Sequence, residues 1–170
     1  MSDLRSLLLT QLDIAWTLLD HHLVPLTDLD LHWVPARVHW TVREVGGEWR
    51  ADFAEVEPDP VPVPTAAWLT WHIGWWWGTA LSHLGDEEPK PREHVLWPGD
   101  AEATRRWLSG LHQEWRHSLA EASALNDPAG FPWPAGSGYT KADMAAWVNV
   151  ELTKNAAELG QLRLLRAARK

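Results

Sequence analysis

The sequence contains no cysteine. That excludes disulfides, thiolate metal ligands and cysteine nucleophiles, and it suits a reducing compartment such as the cytoplasm. Basic clusters are missing as well: 15 Lys and Arg stand against 23 Asp and Glu, a formal net charge of −8, with no run of cations to neutralise phosphates. A nucleic-acid partner is therefore not expected. Nowhere does the chain reach the roughly 20 consecutive apolar residues of a membrane span, so no membrane partner is expected either. Its start, Met1 to Trp16, sets Asp3 and Asp13 around a short apolar run without a small-residue cleavage signal. It reads as the beginning of a helix and not as a signal peptide.

Tryptophan is abundant instead, with 14 copies in 170 residues. Trp75, Trp76 and Trp77 are consecutive, so on a helix they point three ways. They read first as bulky core filler and second as the aromatic lining of a ligand pocket. A hydrophobic share of 45% and a charged share of 22% are those of an ordinary globular chain, and residues 1–170 fit one domain.

Apolar residues at Leu4, Leu7, Leu8, Leu12, Ala15, Trp16, Leu19 and Leu23 recur in steps of three and four, predicting an amphipathic first helix. Ser2 is its expected cap and Pro25 its stop. Residues 26–64 are rich in Pro, Asp and Trp. Within them, Val38 to Val42 and Glu48 to Phe53 flank Gly46-Gly47, which suggests a small hairpin in a long connection. Thr65 caps a second helix that runs through Trp68, Leu69, His72, Ile73, Trp76 and Leu84 to Gly85. Asp100 starts a third helix, ended by Asn126-Asp127-Pro128. Thr140 and Asp143 form a capping box for the fourth, which runs to about Leu165 and carries Arg163, Arg166, Arg169 and Lys170 at its end. The expected fold is all-α: an up-down-down-up four-helix bundle with a long, partly extended crossover between the first two helices.

The fourth helix carries the most informative pattern. Set at 100° steps, Met144, Trp147, Val148, Leu152, Leu159, Leu162 and Leu165 form one apolar arc. Asn155 falls within it, and Glu151 and Glu158 lie toward its edge. Buried carboxylates are costly unless paired, hydrogen-bonded or bound to a cation. His72 sits in a comparable apolar setting on the second helix. Imidazole and carboxylate on facing helices are the raw material of metal sites in helical bundles. Among the other histidines, His21, His22, His112 and His117 read as surface or rim residues, with His21 or His22 within reach of the site mouth, and His83 lies too far along its helix to join His72.

Trp68-Leu69-Thr70-Trp71-His72-Ile73-Gly74 resembles the second-helix signature of the DinB-like superfamily. Glu151 to Gln161 resembles its fourth-helix signature, and Leu26 to Trp33 a further family stretch. The resemblance implies a four-helix bundle, often dimeric, holding a divalent metal such as zinc or nickel through one histidine of the second helix and two residues one turn apart on the fourth. It also implies, for some members, reactions that use a low-molecular-weight thiol. Carried over, the metal ligands are His72 and Glu158, but the other ligand position falls on Lys154, and an ammonium cannot ligate a metal. Glu151 would have to substitute, although it lies about 10 Å from Glu158 along the axis, or else Asn155. Trp76 would wall the pocket beside Asn155 and Lys154.

Two functions follow as expectations. One is a metal-dependent enzyme acting on a small molecule, with thiol-dependent transfer as one form. The other is a catalytically silent, metal-free bundle that binds a small ligand or forms a homodimer, with a Lys154–Glu158 ion pair where the metal would be.

Overall fold

The computed structural model describes residues 3–169. Among them are five α-helices and four short strands, in the order α1 (Leu4–Leu23), α2 (Asp28–Leu31), β1 (His39–Trp40), β2 (Val42–Val45), β3 (Glu48–Ala51), β4 (Val63–Pro64), α3 (Ala66–Leu84), α4 (Ala101–Glu121) and α5 (Lys141–Ala167). The chain is mostly helical, and the strands are confined to the crossover between α1 and α3.

Each long helix starts where a side chain can take up a free backbone N–H. Asp3 accepts from Ser6 N, Thr65 from Trp68 N, Asp100 from Ala103 N, and Thr140 and Asp143 cap each other reciprocally. Asp3 caps α1; the expected cap, Ser2, lies outside the described residues. The fourth helix extends to Ala167, and the third ends at Glu121, before the expected Asn-Asp-Pro stop. The short α2 is the addition. Thr27 and Asp30 form a full capping box around a single turn, a Thr-x-x-Asp pattern visible in the sequence but too short to show periodicity.

The hairpin forms around Gly46 and Gly47, whose φ values of 62° and 83° are the left-handed pair such a tight turn needs. It is shorter than the sequence suggests. Val42 pairs with Ala51, and Val45 with Glu48, antiparallel. His39–Trp40 leaves this ladder and runs parallel to Val63–Pro64. The expected first arm is thus divided between two pairs. This arrangement lays Trp40 on Trp68, ring centroids 4.9 Å apart, and brings the Asp52 carbonyl to within 2.5 Å of Trp68 Nε1. The crossover is therefore fastened along the outer face of α3.

α1 packs on α5 and α4, and α3 packs on α4 and α5, so every long helix shares the core with two others. Trp71, Trp76, Trp77 and Trp115 are among the largest fully buried side chains, and the core-filler reading of the tryptophans holds for them. Gly74 explains how such bulk fits. A methyl group there would fall 1.9 Å from the Trp107 ring, because that indole lies flat on the bare helix backbone. Gly160 does the same for His22 on α1, with an added Cβ only 2.6 Å from Nε2. At one end of the molecule the buried ammonium of Lys141, at the start of α5, donates to the Leu84 carbonyl at 3.1 Å and to Asp86 at 2.7 Å. The end of α3 is thereby tied to the start of α5.

Candidate functional site

His72 projects from the middle of α3 into a wall of indoles. Its ring stacks on Trp68 at 5.0 Å with planes 10° apart, and meets Trp75 at 5.6 Å in a tilted contact. Burial pushes its pKa down to about 4, and the nearby Lys154 ammonium pushes in the same direction. Both effects act against a second positive charge in a poorly solvated place. At neutral pH the ring is therefore uncharged. The contacts the ring makes are those with the two indoles, so His72 is held here as a stacking group.

On α5 the polar residues divide into two arrangements. Lys154 Nζ lies 2.6 Å from Glu151 Oε2, an i,i+3 pair in which the carboxylate side chain is only 17% exposed and the ammonium 49%. One turn further, Asn155 is 1% exposed. Its Oδ1 accepts from Trp76 Nε1 at 3.1 Å and its amide donates to Glu158 Oε2 at 2.8 Å. Glu158 is exposed and stands at the rim. The expected arc on α5 is present, with Met144, Val148, Leu152, Leu159 and Leu162 buried, but Leu165 is 42% exposed and lies outside it.

The side chains expected to gather thus meet in a different way. Asn155, Trp76 and Glu158 form one chain of hydrogen bonds, and Glu151, Lys154 and His72 form the electrostatic neighbourhood beside it. Lys154 pairs with Glu151 rather than with Glu158, whose carboxylate accepts from the Asn155 amide. Among the described residues no group of three or more His, Asp or Glu side chains is placed to hold a metal ion, so His72, Glu151 and Glu158 do not come together as a ligand set. The Glu151–Lys154 spacing could have signalled this pair from sequence. The Trp76–Asn155 bond joins residues 79 positions apart, and no local pattern announces it.

Two histidines expected at the surface or rim are more enclosed. His112 stacks on Trp16 at 4.4 Å, and its Nε2 is buried without a partner among the described residues. His22 accepts from Arg163 through Nδ1 at 3.0 Å. Burial first, and Arg163 next, lowers its pKa. His83 stacks on Phe131 at 5.7 Å, away from His72.

Among the described residues no helix is long and apolar enough to cross a membrane. In comparison with known families, a model of the DinB superfamily matches residues 11–159. No curated protein matches, and no solved structure does.

Proposed function

The chain belongs to the DinB superfamily, and we propose that it is a four-helix bundle that binds a small organic molecule without a resident divalent metal. The observation that supports this is Lys154. It stands where the resemblance calls for a metal ligand, it is the charged group acting on His72, and it is neutralised by Glu151 at 2.6 Å.

The residues present do not fit zinc or nickel. An ammonium has no lone pair to give, and it adds a positive charge that repels a cation. Glu151, one of the two substitute ligands, is engaged by that ammonium. Asn155 has its oxygen on Trp76 and its nitrogen on Glu158. Only His72 and Glu158 are left as donors, fewer than the three protein ligands of an open catalytic zinc site. A built-in ammonium–carboxylate pair beside a neutral imidazole can instead orient a polar ligand by hydrogen bonds, inside a hydrophobic frame. Neither metal-dependent catalysis nor thiol-dependent transfer is part of this reading.

The same reading includes a homodimer in the cytoplasm. Leu4, Leu7, Ile14 and Leu18 on α1 are 53%, 51%, 59% and 47% exposed, and Val150 on α5 is 65% exposed. Their spacing lays an apolar stripe along one side of α1, and large apolar stripes on a surface mark sites of association. The absence of cysteine is compatible with a reducing interior.

Elemental analysis of protein purified without a histidine tag tests the metal-free centre. Less than about a tenth of a metal ion per chain is expected, with a melting temperature unmoved by added zinc, nickel or manganese. Stoichiometric metal that disappears in His72→Ala would overturn the reading.

A further inference from the structure

Two glycines one turn apart on α3 have different surroundings. Gly74 is covered by the indole of Trp107, so closely that a methyl group would fall 1.9 Å from that ring. At Gly78 an added Cβ would meet nothing within 4 Å. Packing therefore does not call for a glycine there, although glycine in a helix interior costs about 1 kcal/mol relative to alanine. A local loss of stability with no packing reason is characteristic of functional positions.

The space over Gly78 belongs to a cleft of about 240 Å³ between α3, α4 and the loop before α4. Trp75 and Trp107 form its walls, Gly74 and Gly78 its floor, and Thr79 lines it. Lys90 stands at the mouth, exposed and without an ion pair among the described residues. Trp75 is held on both sides. It stacks on Trp71 at 6.0 Å, and the Arg92 guanidinium lies 5.5 Å from its ring centroid.

We infer that this cleft binds a small planar aromatic acid, its ring lying over Gly78 as the Trp107 ring lies over Gly74, and its carboxylate reaching Lys90. The cleft is separate from the His72–Lys154 neighbourhood, none of whose residues lines it, and it adds a second place for a small molecule with a ligand class of its own. Three features select that class. A bare helix backbone beside indole walls accepts a flat ring and leaves little room for a branched aliphatic group. The volume suits a single ring with a short substituent, being below the range of sites for drug-sized ligands. Lys90 is the cation at the opening, and its charge favours an anionic substituent over a neutral one.

Benzoate serves as the probe and benzamide as its neutral counterpart, titrated into the full chain while the indole N–H signals are followed by NMR. Benzoate should shift the Trp75 and Trp107 signals in a saturable way. Gly78→Leu, which fills the space and removes a helix glycine, should abolish the shifts with an unchanged or higher melting temperature. Gly78→Ala should weaken them. Lys90→Gln should weaken benzoate about two- to five-fold, as an exposed charge contact allows, and leave benzamide unchanged. No saturable shift up to about 10 mM benzoate, a weak-binding limit, would overturn the inference, as would binding that persists in a folded Gly78→Leu variant. Metal content measured on the same samples separates the two readings. Stoichiometric metal with benzoate binding intact sinks the metal-free centre and upholds the cleft.

Discussion

Trp77→Ala is expected to cost about 3–5 kcal/mol, the range for removing a large aromatic from a packed core, whereas Trp77→Phe should cost much less. The indole is completely buried, lies 5.8 Å from Trp76 and contacts Trp16 at 6.1 Å. Alanine would leave a cavity where α1, α3 and the rest of the core meet, too large to close by small movements. Phenylalanine keeps most of the packing. It also removes a polar group that gains nothing from the fold, since Trp77 Nε1 is buried with no acceptor among the described residues. A buried donor without a partner carries a desolvation cost of about 1–3 kcal/mol, and this partly offsets the smaller ring. Urea denaturation of the wild type and both variants measures the difference. Equal losses for alanine and phenylalanine would mean that the indole N–H has a partner or that the site collapses easily.

Acid should destabilise the protein well before its carboxylates titrate, and His72 should account for much of the loss. Its folded pKa is lowered to about 4 from an ordinary value of 6.5. The unfolded chain therefore binds a proton that the folded chain refuses between those values. Stability contributed by the neutral ring is fully present above about pH 6.5, declines as pH falls, and is gone below about pH 4. The shift corresponds to up to about 3 kcal/mol. His22, His83 and His112 are shifted in the same direction, each chiefly by burial, and add to the slope. His72→Phe keeps a flat ring against Trp68 and removes the titrating nitrogen. Its stability should fall less steeply between pH 7 and pH 4.5 than that of the wild type. Parallel pH profiles would show that the ring takes up its proton freely in the folded state.

Much of the helical framework was legible in the sequence because its signals are local. Thr65, Asp100 and the Thr140–Asp143 box mark helix starts through hydrogen bonds that reach only three residues. The inward turn of Asn155 followed from helical geometry alone. What escaped depends on contacts between distant segments. Glu158 joins Asn155 rather than Lys154, and Asn155 is itself bonded to Trp76 on another helix. The division of Val38–Val42 between two strand pairs depends on Val63–Pro64, which arrives more than twenty residues later. His112 seemed a rim residue because α4 is polar around it, yet Trp16 of α1 covers its ring. The Gly74–Trp107 contact likewise leaves no trace in either helix's own periodicity.

The central claim is that the Lys154 ammonium, paired with Glu151, stands in place of a divalent cation beside His72. Calorimetric titration of zinc into the wild type and into Lys154→His tests it most directly. Replacing the ammonium with an imidazole one turn before Glu158 supplies a third donor and removes the repelling charge. The variant should bind one zinc per chain at least about 100-fold more tightly than the wild type, which should give no saturable heat. Stoichiometric, tight zinc binding by the wild type, lost in His72→Ala and no stronger in Lys154→His, would contradict it.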